Sequence, residues 1–166
     1  KNPAGIVLTR QAIPVLSRGD GHAAGENFAH ARHVARGAYV LAEANGELQV
    51  ILMATGSEVS IALEARAALQ ERGIGTRVVS MPCMEWFEEQ DSDYRESVLS
   101  SAVTARVSIE AGISQCWRFY VGDRGRCVSL EHFGASAAYQ RLYDEFGITT
   151  AATVTAAEQS LALQGK

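Results

Sequence analysis

QVILMATGSEVSIALEARAALQERG, residues 49–73, sets the architecture of the chain. Its first part, Gln49 to Ala54, is an apolar run of strand length with no polar alternation, the pattern of a strand buried on both faces. Thr55 and Gly56 break the run, and a helix is predicted from Ser57 to Arg72. Ile61, Ala62, Ala65, Ala68 and Leu69 fall on one face of that helix, while Glu64, Arg66, Gln70 and Glu71 point away. Val59 and Leu63 add apolar surface to the polar side, so the helix is read as touching a second surface as well as its own sheet. Thr55 and Glu58 have the spacing of a capping box, and Gly73 stops the helix. A buried strand feeding a helix that turns back is the building unit of a parallel sheet.

The same unit recurs on either side. Thr76 to Met81 is a strand ended by Pro82, Ala105 to Ile109 is another, and Cys127 to Leu130 is a weaker one. Helices are predicted at Gln90 to Leu99, Ala138 to Phe146 and Thr150 to Leu163. Gly147 ends the second of these, and Thr149 or Thr150 caps the third. Strands alternating with helices imply an α/β fold with a largely parallel sheet covered on both faces. Upstream, Ala38 to Glu43 is a strand joined to Gln49–Ala54 through Asn45-Gly46, a pair suited to a tight antiparallel hairpin. Residues 5–9 are a short β-type run ending at Arg10, and the Gly-, Ala- and His-rich stretch 17–37 reads as a linker.

Composition narrows the function classes. With 166 residues, 47% hydrophobic and 20% charged, the chain suits one compact domain with extra chain attached. A net charge of −4 without a block of one sign argues against nucleic acid as a partner. No apolar run approaches the roughly 20 residues that cross a bilayer. Lys1-Asn2-Pro3 shows no initiator Met and no secretory pattern, and reads as a cut end. Three cysteines, Cys83, Cys116 and Cys127, without C-x-x-C spacing fit reduced thiols and a cytoplasmic protein.

Several residues could carry chemistry. Ala54-Thr-Gly-Ser-Glu58 lies between strand and helix, where free N–H groups favour an anion. Capping accounts for the same residues, and Glu58 already puts a negative charge there. Glu110 follows a strand end, where ligands gather in open α/β sheets, but a structural carboxylate explains it equally. His22, His30 and His33 could bind a metal, yet no Cys- or carboxylate-rich scaffold surrounds them, and a solvated loop is the simpler account. Glu131 beside His132 could tune that imidazole, but neighbours on an extended segment point apart. Ser136 has no G-x-S-x-G elbow. Gly19-Asp20-Gly21, with Asn45 further on, imitates the metal- and diphosphate-holding signature of thiamine-diphosphate enzymes. It lacks the preceding apolar strand and the following helix, and Asn45 belongs to the turn. Arg10, from composition alone, is a surface arginine.

Read as strings, VLTRQ (Val7 to Gln11), ARGAYVL (Ala35 to Leu41), ILMATGSEVSIALEA (Ile51 to Ala65), TRVVSMP (Thr76 to Pro82), DYRESVL (Asp93 to Leu99), AVTARVSIEAG (Ala102 to Gly112) and HFGASA (His132 to Ala137) go further. Together, and in this order, they resemble the C-terminal part of bacterial transketolases. The resemblance implies that residues 1–35 are the tail of a pyrimidine-binding domain with a linker, and that residues 36–166 are the C-terminal domain. That domain is expected to be a three-layer α/β/α unit with a mostly parallel five-stranded sheet and one antiparallel strand.

Whole transketolases move a two-carbon ketol unit from a ketose phosphate to an aldose phosphate, as homodimers using thiamine diphosphate and a divalent metal, Mg or Ca. The resemblance carries over one site residue: Arg10 matches the arginine that binds the substrate phosphate. It assigns no catalytic, cofactor-binding or metal-binding residue to this chain, and so implies a non-catalytic module that supports dimers. The stretch between Arg10 and Ala35 is longer than is common in the family, and Glu131-His132 stands where relatives often have Asp-Arg. Sister enzymes, deoxyxylulose-phosphate synthase and the 2-oxoacid dehydrogenase β subunit, share the fold, but YRESVL and TARVSIEAG favour transketolase.

Overall fold

The computed structural model describes residues 5–17 and 28–164. After a 3-10 helix at Ala31–Arg36 come strands β1 (Tyr39–Ala42) and β2 (Val50–Ala54), a 3-10 turn at Gly56–Glu58, and helix α1 (Val59–Glu71). Then follow β3 (Thr76–Ser80), α2 (Met84–Glu88), α3 (Ser92–Val98) and β4 (Arg106–Ile109). The chain continues through α4 (Arg118–Val121), β5 (Arg126–Val128), α5 (Tyr139–Glu145) and α6 (Thr150–Leu161). The strand order is β1-β3-β2-β4-β5, with β1 antiparallel to β3 and every other pair parallel.

β2 lies at the centre and is completely buried along its length. Its alternate residues supply two cores. Val50, Leu52 and Ala54 face α1 and α6 across Ala62, Ala65, Leu69, Val154 and Ala157. Ile51 and Met53 face the short helices α2, α3 and α4 across Phe87, Val98, Trp117 and Tyr120. Each large side chain so buried contributes roughly 1.5–3 kcal/mol. The layers are therefore α/β/α, as the resemblance implied.

Local chemistry sets the helix ends. α1 closes with Gly73 at φ +77, where Gly73 N–H bonds to Gln70 C=O and Ile74 N–H to Leu69 C=O. That pair of bonds satisfies carbonyls the helix would otherwise leave unpaired. Gly147 closes α5 with the same two bonds, to Asp144 and Tyr143. Asp91 caps α3 by accepting from Tyr94 N–H at 2.8 Å, and Thr149 caps α6 by accepting from Ala152 N–H at 3.2 Å. Arg106, half-buried, sends its guanidinium to the carbonyls of Leu99, Ser100, Val103 and Tyr120. It thus ties the loop after α3 to the end of α4.

Four expectations need correction. β1 pairs with β3 and not with β2, so there is no hairpin at Asn45-Gly46. Residues 43–49 separate the two strands, too long a connection for a two-residue turn, and β3 and β4 take both edges of β2. Residues 5–9 form no strand, because no neighbouring strand is there to pair with them. In the stretch 17–37, read as a linker, Ala31–Arg36 is a 3-10 helix, and Ala29 N–H bonds to Leu41 C=O at 3.0 Å; this leaves the linker reading as it stands. Arg66 is only 5% exposed and turns inward, its guanidinium donating to Glu43 C=O. Thr55 makes no side-chain cap bond, and the Glu58 side chain, the other half of the supposed capping box, turns inward to Tyr143 and Ser57. Helices α2 and α4 had no counterpart in the sequence reading; they are shorter than the window over which a helical period can be read.

Gly37 and Gly46 both adopt positive φ, +81 and +83, but in different surroundings. A Cβ on Gly37 would meet Phe87 N at 2.3 Å and Cys83 O at 2.4 Å, whereas one on Gly46 meets nothing within 4 Å. Gly46→Ala is expected to cost about 1 kcal/mol for the left-handed backbone alone. Gly37→Ala should cost at least about 2 kcal/mol more, because backbone atoms must move. Urea unfolding of the two variants checks this, and equal losses would refute the tight packing of Gly37 on α2.

Candidate functional site

The parallel strands β2 and β4 are neighbours, with Ala54 paired to Ile109, so their carboxyl ends open on the same edge of the sheet. β2 runs into Thr55-Gly56-Ser57-Glu58 and β4 into Glu110. Gly56 supplies the positive φ, +56, that lets the backbone turn sharply from strand to helix. The sequence therefore brings the Ala54–Glu58 turn and Glu110, read separately, to one place.

Glu58 is 4% exposed. Its Oε1 accepts from Tyr143 O–H and, at 3.0 Å, from Ser57 Oγ. A buried carboxylate needs such donors, since without them its desolvation is not offset. Burial, and then the charge of Glu58, pushes Glu110 up to about 7. Burial and the bond to Glu58 also push the Tyr143 hydroxyl above its ordinary value. Gln11 reaches the same hydroxyl from the N-terminal segment, donating from Nε2 at 3.3 Å. Arg10, beside Gln11, is exposed. A cavity of about 270 Å³ lies between this segment and the turn, lined by Ile13, Pro14, Leu16, Val34, Gly56 and Ser57.

This arrangement favours hydrogen bonding and proton sharing over anion capture. A carboxyl group in the first turn, that of Glu58, offsets the attraction that helix dipole and N–H groups would otherwise offer an anion. Tyr143, which joins Glu58 to Gln11, is the residue of this cluster that sequence reading missed. The helix carrying it was legible, but nothing in its spacing says which way the hydroxyl points.

The remaining candidates are scattered. His30 caps the Ala31–Arg36 helix, its Nδ1 accepting from Arg32 N–H at 3.0 Å. His33 packs its ring 6.0 Å from that of Tyr39. Gly19-Asp20-Gly21 and His22 lie outside the described residues. Asn45 sits in the exposed turn, its N–H donating to Gln70 Oε1 at 2.8 Å. Among the described residues no group of three His, Cys, Asp or Glu stands where it could hold a metal ion. Glu131 accepts from Ser114 N–H and Ser129 Oγ, while His132 turns its ring onto Phe146 at 4.9 Å, so the two side chains do part. Ser136 is exposed in the loop before α5.

Residues 37–149, more than half of the chain, match the profile of the transketolase-like C-terminal domain. The chain belongs to that transketolase family. A transketolase of Mycobacterium leprae is 51% identical over 163 residues, 96% of this chain and 22% of its own length. A solved transketolase from Leishmania mexicana superposes with a TM-score of 0.71 and 41% identity, over 78% of this chain and 18% of that one. The Pichia stipitis enzyme in complex with sedoheptulose 7-phosphate gives 0.74 and 31%, over 81% and 19%. The chain thus spans about a fifth of the length of these transketolases. Among its described residues no helix is long and apolar enough to cross a membrane.

The raised Glu110 makes the stability of this transketolase domain depend on pH. The folded chain keeps a proton on Glu110 that the unfolded chain releases near the ordinary value of 4.5. Between 4.5 and about 7 the folded state binds more protons, so stability falls as pH rises through that window. Glu110→Gln, which is neutral throughout, should melt above the parent at pH 8, and the gap should close below pH 4.5. Thermal melts across this range test it; a gap that does not change with pH would mean that Glu110 keeps an ordinary pKa.

Proposed function

We propose that this chain is the C-terminal part of a cytoplasmic transketolase that moves a two-carbon ketol unit from a ketose phosphate to an aldose phosphate, and that the part itself supports assembly and does not catalyse. The observation that carries the reading is family membership joined to a strand edge that carries two carboxyl side chains, Glu58 and Glu110. Glu58 is buried there beside Glu110, and a diphosphate would be repelled where a cofactor phosphate would otherwise dock. This edge of the described residues therefore does not suit a diphosphate. We assign that cofactor, with Mg or Ca, to portions of the full enzyme outside this chain, and derive no step through it.

Residues 1–35 are the end of the pyrimidine-binding domain with a linker, and 36–166 the C-terminal domain. In support, Ile6, Val7 and Leu8 expose 83%, 98% and 81% of their surface on a segment outside any helix or strand. Three consecutive apolar side chains suit a strand that a larger sheet covers on both faces. The rest of the transketolase chain and a second, identical subunit are the partners that provide such cover. Arg10, exposed next to this run, binds the substrate phosphate, which a planar guanidinium grips through two parallel hydrogen bonds.

The purified chain should show no ketol transfer even with thiamine diphosphate and magnesium added, and turnover would overthrow the non-catalytic reading. In the full-length enzyme, Arg10→Ala should raise KM for phosphorylated sugars by an amount equivalent to about 1–3 kcal/mol. Steady-state kinetics on sedoheptulose 7-phosphate, the ligand of the Pichia stipitis enzyme, measures it. An unchanged KM removes Arg10 from the phosphate site.

A further inference from the structure

We infer that Tyr143 is a positioning residue for Arg10, through which the C-terminal domain sets the grip on the substrate phosphate. The inference rests on the phosphate-binding role of Arg10 proposed above. Arg10 is exposed, and a long exposed arginine loses much rotamer freedom when it binds. Its usefulness at a defined place therefore depends on how its backbone is held.

Both neighbours hold it. Thr9 Oγ1 donates to Gln11 Oε1, which fixes the amide so that Nε2 faces away from Thr9. That Nε2 then donates to Tyr143 OH at 3.3 Å, across 132 positions of sequence. The polarity of the next link follows from chemistry. An ionised carboxylate only accepts, so Tyr143 gives its single proton to Glu58 and keeps its lone pairs for Gln11. Glu58 is 96% removed from solvent and needs that proton, so the hydroxyl is not released cheaply. Ser57 shares the load, with its Oγ 3.0 Å from Glu58 Oε1 and 3.3 Å from Tyr143 OH. The ring is held as well, edge-on to Tyr139 at 5.8 Å, on a helix closed by Gly147. The path Thr9, Gln11, Tyr143, Glu58 runs from the flanks of Arg10 to the buried first turn after β2, the central strand.

The test is a kinetic cycle in the full-length enzyme, with sedoheptulose 7-phosphate and unphosphorylated sedoheptulose as substrates. Tyr143→Phe keeps the ring and removes the hydroxyl. It should raise KM for the phosphorylated sugar about threefold to tenfold, the loss of one hydrogen bond's net worth, with kcat within about twofold. KM for the unphosphorylated sugar should not move. Added to Arg10→Ala, Tyr143→Phe should change nothing further, because its effect passes through Arg10. Gln11→Met, which breaks the same link from the other side, should reproduce Tyr143→Phe and add nothing to it. The inference is overturned if Tyr143→Phe leaves KM unchanged, shifts it equally for both sugars, or multiplies with Arg10→Ala. If Arg10→Ala alone has no effect on KM, the phosphate role itself fails, and this inference with it.

Discussion

The complete burial of β2 is the constraint on which the rest of the structure depends. A strand without exposed edges or faces must find hydrogen bonds on both sides and apolar cover above and below. β3 and β4 supply the bonds in parallel register, and parallel neighbours require crossovers, which here are α1 and the α2–α3 pair. Those crossovers bring the cover with them. The antiparallel β1 is left only the outer edge of β3. Its last residues are pinned there through Glu43, where Arg77 donates to both carboxylate oxygens and Arg66 to the carbonyl. Burial opposes the charge of Glu43, but the arginines outweigh it and hold the carboxyl below its ordinary value.

The same constraint shapes the site. Parallel neighbours end together, so β2 and β4 deliver Glu58 and Glu110 to one edge. Two carboxyl groups in partly dry surroundings cannot both ionise without cost. The structure divides the roles. Glu58 takes the hydroxyl donors of Tyr143 and Ser57, and Glu110 keeps its proton to higher pH. An edge that in other α/β folds receives a ligand here carries two of the protein's own acids.

What the sequence disclosed follows the range of the forces involved. The buried run at Val50–Ala54, the amphipathic α1 and the glycine stops at Gly73 and Gly147 are local, and each was legible. The antiparallel sense of the first strand was legible too, through the family resemblance, but its partner was not. Asn45-Gly46 is a local turn signal, whereas the choice of β3 over β2 is settled by competition for edges across the whole sheet. Arg66 failed for the same reason: its place on the helix wheel says outward, but a carbonyl at the end of β1 draws it in. At the site, Glu58 and Glu110 were both noticed as separate motifs. Their meeting, and the hydroxyl of Tyr143 that joins Glu58 to Gln11, depend on contacts 85 and 132 positions apart. No period or spacing encodes those.

A buried carboxylate that binds nothing would be a poor bargain for stability alone, since an apolar residue of similar size packs without desolvation cost. Its retention makes sense when it fixes geometry. Glu58 accepts two hydroxyl protons at once, and so orients Ser57 on the turn and Tyr143 on α5 with respect to each other. Through Tyr143 it also orients the segment that carries Arg10. An apolar replacement could fill the same volume but would leave both hydroxyls free to turn. The polar cluster at this edge is therefore better understood as a joint between the C-terminal domain and the chain that precedes it than as an unused pocket of an α/β fold.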